Sequence, residues 1–347
     1  MTHAPRTADP LAGNAPAVDA PMFNGPVVNA PGRNAPVLNA MTVDVEDWFQ
    51  VQAFAHCISR ADWDGSARRV EANVDRILAL FDAAGVRATF FTLGWIAERH
   101  PALVRRIVAA GHELASHGWE HIRADVERTR LTLEDIGGVP VSGYRAATFS
   151  IGARNQWAFQ VLQDAGYTYS SSVNPIRHDL YGMPDAPRTP FQPEGGALWE
   201  IPMTTVAAFG RNWPCSGGGF FRLLPYELYR RGLGAVNRRE HLSGIFYFHP
   251  WEIDPGQPRV AGCGWKSRVR HYTNLSRMQS KLERVLRQFA WDRMDRVFGD
   301  LWAEQFPLPV SASAAKRTEA GARSGRTDQL LHSTPSPNGS GSRALSA

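Results

Sequence analysis

The sequence predicts an α/β fold, a distorted (β/α) barrel with parallel strands and outer helices. Strand-like and helix-like segments alternate through the middle of the chain, and their number fits a barrel better than an open doubly wound sheet. The glycine-rich segment "SGGGFFRL" lacks the lysine of a phosphate-binding loop, so a nucleotide-binding sheet is not indicated. The chain has 347 residues, 43% of them hydrophobic, which is enough for one large core or two ordinary ones.

The first elements show this alternation most clearly. "MTVDV" is a predicted strand, and the apolar residues of "RRVEANVDRILALFDAAG" recur at helical spacing up to Gly85, a favourable residue after a helix end. "VRATFFTLG" is the next strand, "PALVRRIVAAG" a helix with Pro101 in its first turn, and "HELAS" the third strand. Further along, "IRADVERTRLTLEDIGG" and "NQWAFQVLQDAGY" are predicted helices, and "VSGYRAATFS", "ALWEIPMT" and "GIFYFHPWE" are predicted extended segments.

The two ends of the chain differ in composition from the middle. Residues 1–40 repeat an Asn-Ala-Pro unit, and residues 308–347 are poor in apolar side chains. Neither composition builds a packed core, so we expect disorder at both ends and an ordered domain over residues 41–307. Because a strand follows Met41 at once, this methionine is also a candidate for the true start of the protein.

Charge and cysteine usage narrow the class of protein. The net charge of +5 comes from arginines spread along amphipathic segments, which favours solvated helix faces over a nucleic-acid site. Cys57, Cys215 and Cys263 are odd in number and widely spaced, so we expect buried thiols rather than a disulfide framework or a zinc knot. No signal peptide and no membrane-spanning apolar stretch is seen, which predicts a cytoplasmic protein.

Ionisable side chains follow three predicted strands at their C-terminal ends, where parallel α/β proteins place reactive groups. They are Asp44, Glu46 and Asp47 in "TVDVEDW", His117 and His121 in "SHGWEH", and His249 in "FYFHPWE". One acid with two neutral imidazoles suits a divalent metal such as zinc and leaves a position for water. A second acid could act as a base on that water. Each motif alone has an ordinary structural explanation, but their coincidence favours a site.

In this order, the motifs resemble the NodB-type polysaccharide deacetylases of carbohydrate esterase family 4, over roughly Met41 to Phe306. The resemblance is greatest to a subgroup tied to exopolysaccharide loci of exosortase-bearing bacteria. The matching segments include "TVDVEDWFQV", "GHELASHGWEH", "GYRAATFSI" and "IFYFHPWEID". The resemblance implies a hydrolase that removes N-acetyl groups from amino sugars of a polysaccharide or its lipid-linked precursor. The implied cofactor is a divalent metal, zinc first, with cobalt or manganese as alternatives.

The resemblance also implies roles for single residues. Asp44 matches the general base, Arg145 the arginine that holds it, and His249 the general acid. His117 and His121 match the metal-binding pair.

The third metal ligand remains open between two acids. Val45 separates acids that are adjacent in the common motif, so either Glu46 or Asp47 could be the ligand. Strand alternation places Glu46 on the same face as Asp44, and we therefore prefer Glu46.

Aromatic residues near these motifs are candidates for contact with sugar rings. Trp48, Phe149 and Trp251 could stack on the substrate, and a plain packing role is equally open for each. Two departures from the family pattern affect the same region. Ala147 stands where the third motif usually has proline, and Ser170 replaces an acid of close relatives. They indicate an altered pocket rim.

Two other functions compete with the deacetylase hypothesis. A metal-free relative that opens the ring of allantoin would lack the histidine pair, so "SHGWEH" argues against it. A non-catalytic carbohydrate-binding relative is disfavoured because Asp44, Arg145 and His249 are all retained. Ala147 and Ser170 keep that second alternative open. The sequence does not predict an oligomeric state.

Overall fold

Eight strands form one parallel sheet within residues 36–119, 126–179, 181–193 and 196–303, the part of the chain that this computed structural model describes. Two further strands form an antiparallel hairpin. In chain order the strands are β1 Leu38–Val45, β2 Thr89–Thr92, β3 Glu113–Ser116, β4 Gly143–Tyr144, β5 Tyr169–Ser170, β6 Trp199–Glu200, β7 Thr205–Ala208, β8 Arg211–Pro214, β9 Ile245–Phe248 and β10 Ala290–Asp292.

The order of the strands gives the sheet the form of a half-barrel. From β1 the sheet runs through β2, β3, β4 and β5 to β6, each strand beside the next. The late strands return to the start, because β9 pairs with β1 over Ala40–Val43 and β10 pairs with it over Leu38–Ala40. No strand ladder joins β6 to β9 in the described part of the chain, so the barrel stays open there. The predicted α/β barrel-like fold is confirmed.

Ten α-helices accompany these strands in the described residues. They are α1 Val70–Ala84, α2 Gly94–Arg99, α3 Pro101–Ala109, α4 Val126–Gly137, α5 Trp157–Asp164, α6 Gly218–Leu223, α7 Tyr226–Arg239, α8 Trp265–Tyr272, α9 Leu275–Gln288 and α10 Met294–Val297. The predicted helix signals are confirmed, since α1 ends at Gly85 in the left-handed conformation and Pro101 opens α3. None of the described helices is long and apolar enough to cross a membrane.

The main core lies between β1, β2 and β9 and the helices that cover them. β9 is buried along its whole length, as expected for a strand covered on both faces. Phe81 of α1 meets Phe90 of β2 and Phe248 of β9 edge-on, with ring centroids 6.2 Å apart in both pairs. Burying each such ring contributes about 2 to 3 kcal/mol. This packing fixes the positions of β1 and β9, and with them the positions of the residues at their C-terminal ends.

The ordered domain starts before Met41, which corrects the predicted boundary. Strand β1 begins at Leu38, and the fully buried Asn39 accepts hydrogen bonds from the backbone N–H of Gly244 and the side chain of Asn237, each at 2.8 Å. The composition of residues 38–40 does not show these partners, because they lie about 200 residues away in the sequence. The disorder expected for residues 1–35 and 308–347 lies outside the described residues.

A disulfide joins Cys57 to Cys263, which corrects the expectation of unpaired thiols. The two residues are 206 positions apart, so their spacing carried no signal, but the fold brings their Cα atoms to 5.7 Å. Cys215 is free and buried, as predicted. The cytoplasmic location expected from the sequence stays a prediction.

The predicted extended segments are shorter than expected, and one hairpin was missed. "VSGYRAATFS" contributes only the two residues of β4 before a 3₁₀ turn over Ala147–Phe149, and "GIFYFHPWE" leaves its strand at Phe248 for a 3₁₀ turn over Pro250–Ile253. The hairpin of β7 and β8 has no clear alternation of polar and apolar residues. Both strands are partly exposed, so burial did not impose a pattern on them.

Candidate active site

The C-terminal ends of β1 and β9 open into a cavity of about 510 Å³. Its lining includes Asp44 and Glu46 from the end of β1, Phe149 from the turn after β4, and His249 and Trp251 from the turn after β9. Five of the predicted site residues therefore share one cavity. They meet because parallel strands present their carboxyl ends at the same edge of the sheet.

Arg145 binds Asp44 and is not itself among the residues that line the cavity. Its Nη1 donates to Oδ1 of Asp44 at 2.7 Å and to Oγ1 of Thr42 at 2.7 Å. Its Nε and Nη2 donate to the carbonyl and the hydroxyl of Ser171. The guanidinium is fully buried and lies 4.0 Å from the ring centroid of Phe91. Such a charge-assisted bond fixes the carboxylate of Asp44 in one orientation.

Glu46 lines the cavity, and its side chain faces His117, which lines a second cavity of about 320 Å³. The Nδ1–H of His117 donates to the backbone carbonyl of Arg145 at 2.8 Å, which leaves the Nε2 lone pair directed to Oε1 of Glu46 at 3.1 Å. Two lone pairs at this distance repel unless a proton or a cation lies between them. Two ligand atoms of a tetrahedral zinc are about 3.3 Å apart, so the pair fits a metal of this size.

Asp47 caps the start of helix α1. Its Oδ1 accepts from the backbone N–H of Trp48, and its Oδ2 accepts from the N–H groups of Arg69 and Val70 at the start of α1. Burial raises the pKa of Asp47, and the backbone hydrogen bonds act in the opposite direction. Because its oxygens are occupied in capping, this arrangement supports Glu46 as the metal ligand.

His121, the remaining ligand implied by the sequence, lies outside the described residues. Among the described residues, the ligand atoms of His56, Cys57 and Cys263 lie within 4.8 Å of one another, close enough to hold a metal ion. The two cysteines of that group are joined in the disulfide, so their thiolates are not available to a metal.

His249, which is partly exposed to the cavity, begins a chain of charges that continues into the buried Glu252 and Arg222. Its Nδ1 lies 2.9 Å from Oε1 of Glu252, and Oε2 of Glu252 accepts from Nε of Arg222 at 2.7 Å. Burial lowers the pKa of His249, but the hydrogen bond to Glu252 and the negative charges of Glu46, Glu252 and Asp44 outweigh it and raise the pKa to about 9. For Glu252, the charges of Arg222 and His249 overcome burial and lower its pKa to about 2. His249 therefore carries a proton at neutral pH.

Sequence reasoning missed Glu252 and Arg222. Glu252 stands three residues after His249, the spacing that brings side chains together on a helical turn, so "HPWE" contained a usable signal. Arg222 had no such signal because it lies 30 residues earlier, on α6. It is placed by its bonds to the backbone carbonyls of Arg270, His271 and Thr273.

The three predicted sugar-contacting aromatics have different positions. Trp251 stacks with His249 and His271 at centroid distances of 5.2 and 4.2 Å, and Phe149 lines the cavity beside Tyr247. Both are only 5% exposed, so each presents little ring surface to a sugar.

Trp48 is a correction to the predicted set. It does not line the cavity and packs in the main core, where its indole N–H donates to the carbonyl of Ala67 at 2.9 Å.

The two departures from the family pattern lie in the 3₁₀ turn after β4 and in β5. Where relatives have proline at Ala147, the chain turns through Thr148 and Phe149, with φ of 60° and 51°. The Ser170 hydroxyl bonds that of Ser172 at 2.8 Å, near the fully buried Glu200. Burial raises the pKa of Glu200, whose Oε1 accepts from the backbone N–H of Ser172.

Comparison with known families identifies the first half of this site. Residues 63–170 match the family model described as "Polysaccharide deacetylase". This segment of the chain is therefore similar to polysaccharide deacetylases. Residues 171–299 match a model described as "Domain of unknown function (DUF3473)". His117 and Arg145 lie in the first match, and His249 and Glu252 lie in the second. Phe149 of the first match and His249 of the second line one cavity, together with Asp44 and Glu46, which precede both matches.

Individual relatives support this family and its fold. A stretch of 52 residues is 49% identical to "Chitooligosaccharide deacetylase" of Sinorhizobium fredii (strain NBRC 101917 / NGR234), covering 13% of this chain and 24% of that relative. The chain thus matches about a quarter of the length of this curated relative. A crystal structure from Mycobacterium smegmatis, described as a polysaccharide deacetylase, superposes with a TM-score of 0.53 at 20% identity. That match covers 84% of this chain and 98% of the other and supports the fold. The predicted resemblance to polysaccharide deacetylases is supported over residues 63–170.

Proposed function

We propose that this protein hydrolyses N-acetyl groups on amino sugars of a polysaccharide or its lipid-linked precursor, in exopolysaccharide biosynthesis, with a divalent metal as cofactor. The observation that carries the proposal is the presence of two ion pairs, one containing Asp44 and one containing His249, at one cavity. The carboxylate of Asp44, held by Arg145, and the imidazolium of His249, held by Glu252, both line it. Amide hydrolysis needs such a pair, a base for water and an acid for the amine.

Glu46 and His117, with His121 as the third ligand implied by the family, would hold the metal, with zinc favoured over cobalt or manganese. When bound, such an ion lowers the pKa of a water molecule and polarises the amide carbonyl. The 3.1 Å approach of Glu46 to His117 supports this assignment, since it places two ligand atoms at the separation a zinc site requires.

Asp44 is the proposed base. Arg145 occupies its Oδ1, so Oδ2 is the oxygen that takes the proton of the attacking water. Nη1 of Arg145, 2.7 Å from Oδ1, also holds the carboxylate in one orientation.

His249 is the proposed acid. Glu252 accepts a hydrogen bond from Nδ1–H, and the proton on Nε2 is therefore the one available to the departing sugar amine. Glu252 is fully buried and paired with Arg222, so it stays negative. Its charge favours the return of a proton to the imidazole of His249 after each transfer.

Acetate release from N-acetylglucosamine oligomers, measured together with the metal content of the purified full chain, tests the proposal. Asp44→Asn should lose about 10² to 10⁴ in turnover because it removes the base, and it should keep its fold. Asp64→Asn is the matched control, since Asp64 is exposed on the surface. Near-full turnover of Asp44→Asn would contradict the proposed mechanism. Oligosaccharide binding by the wild-type protein without acetate release would favour the non-catalytic alternative.

His249→Ala separates the acid from the metal ligands. This variant should keep its metal and substrate affinity and lose about 10² to 10⁴ in turnover, whereas His117→Ala should lose the metal. Loss of the metal in His249→Ala would show that the roles are misassigned.

A further inference from the structure

The tip of the β7–β8 hairpin holds an aromatic side chain in an unfavourable conformation. Phe209 and Gly210 join the strands, with φ of 54° and 68°. A two-residue turn with both φ values positive favours Asn-Gly, and a bulky residue is a strong outlier there. Phe209 is 96% exposed, so its ring makes almost no contact that could offset this cost. Strain that the fold does not require points to a function of the side chain.

Phe209 is one part of a larger apolar surface. Trp213 on β8 is 51% exposed, and Leu228 on α7 is 54% exposed. Together with Leu224 these side chains surround a groove of about 270 Å³ with an almost wholly apolar lining. We call Phe209, Trp213, Leu224 and Leu228 the hairpin patch. Exposed apolar surface of this kind marks an interaction site.

Positive charge lies at the border of the hairpin patch. Arg211 follows the hairpin turn, and Arg231 stands one helical turn after Leu228; both are exposed and neither forms an ion pair with any described residue. The nearest acid on α7, Glu227, is already bound to Arg230 and Arg284. The patch therefore combines apolar and aromatic side chains with uncompensated arginines, and it lacks an uncompensated acid among the residues named.

This combination is complementary to the surface of an anionic bilayer. Aromatic side chains are favoured at the level of the lipid headgroups, and arginines bind the phosphates there. An extended hairpin tip with a protruding Phe can insert at the headgroup level without a membrane-spanning element. The indole N–H of Trp213 donates to the carbonyl of Ala208 at 3.1 Å, which holds the ring beside the hairpin turn.

The hairpin patch is continuous with the mouth of the active-site cavity. Phe220 of α6 lines both the cavity and the groove of the patch. Leu223 lines the cavity, and its neighbour Leu224 lines the groove. A surface that receives the patch therefore lies beside the cavity opening.

We propose that the hairpin patch docks this protein on an anionic lipid bilayer, with Phe209 and Trp213 at the headgroup level and the cavity mouth facing the membrane surface. Docking itself is independent of the deacetylation proposed above. If both hold, the enzyme meets a substrate that is presented at the membrane.

Sedimentation of the full chain with phosphatidylcholine vesicles, with and without phosphatidylglycerol, tests the docking. The wild type should partition onto the anionic vesicles only. Phe209→Asn should weaken this partitioning about tenfold or more, because a buried aromatic ring is lost. Asparagine suits the left-handed turn, so its melting temperature should not fall. Arg211→Gln should weaken binding about fivefold and reduce its dependence on salt.

Leu131→Ser is the matched control, since Leu131 is a 49% exposed apolar residue on α4 outside the patch. Its binding to vesicles should equal that of the wild type. Phe209→Asn should also release acetate from soluble oligomers at the wild-type rate, which separates docking from catalysis. Equal vesicle binding by Phe209→Asn and the wild type would overturn the proposal. A dimer in light scattering that Phe209→Asn dissociates would overturn it in favour of a second copy as the occupant.

Discussion

Replacing Glu252 with glutamine tests how much the negative charge of Glu252 raises the pKa of His249. The change conserves the shape of the side chain but removes the charge that lies 2.9 Å from Nδ1 of His249. Because Oε2 accepts from Arg222, the amide oxygen of E252Q should stay there and its NH₂ group should face the imidazole. An NH₂ group beside Nδ1 favours the neutral ring, so both effects lower the pKa of His249.

The size of the effect follows from the pKa of His249. Its rise from the ordinary 6.5 to about 9 corresponds to roughly 3 kcal/mol in favour of the imidazolium. Glu46 and Asp44 supply part of this and remain in the variant, so we expect the pKa to fall to about 7. At about pH 8.5 the protonated fraction, and with it kcat/KM, should then drop roughly 20-fold, whereas at about pH 6 both enzymes should be nearly equal.

Profiles of kcat/KM against pH for acetate release provide the measurement. Glu240→Gln is the control, because Glu240 forms a similar ion pair with Arg188 outside the cavity. A melting curve at about pH 6 shows whether unpaired Arg222 has weakened the fold. An alkaline limb that does not move, or an equal loss at every pH, would refute the assignment of His249 as the acid.

Three predictions concern stability. Cys57→Ser should lower the melting temperature in oxidising buffer, since the disulfide closes a loop of 206 residues and contributes up to about 5 kcal/mol; Cys215→Ser should have a much smaller effect. Burial and the charge of Asp295 raise the pKa of Glu113 to about 8, so its proton stabilises the fold fully below about pH 4.5 and this stability is lost as the pH rises towards 8. Glu113→Gln should remove that slope from melting temperatures measured against pH. A chain lacking residues 1–40 should be less stable by about 2 kcal/mol in urea unfolding than one lacking residues 1–35, and equal stability would show that the start of β1 is dispensable.

The sequence alone determined the parts of this protein that depend on local pattern. Helical spacing before Gly85 and the buried run "TFFT" predict α1 and β2 because a helix or a central strand must place its apolar residues on the buried surface. The same logic predicts that Asp44 and His249 meet, since parallel strands end at one edge of the sheet. The motif order then implies their chemistry.

Only the tertiary structure decided which distant residues pair. Cys57 with Cys263, Glu252 with Arg222 and Asn39 with Asn237 are contacts across 30 to 206 positions, and no local periodicity encodes them. Two site assignments also depended on side-chain environment. Trp48 turned inward to the core, and Asp47 was committed to capping α1.

The hairpin patch is a feature that only the tertiary structure decides. "FG" is a weak turn signal, and the leucines of "LLPYEL" resemble any helix start. Their meaning comes from the fold, which leaves Phe209 strained and exposed and sets it beside Leu228. Exposure is a property of the packed chain, because it depends on which surfaces the other elements cover.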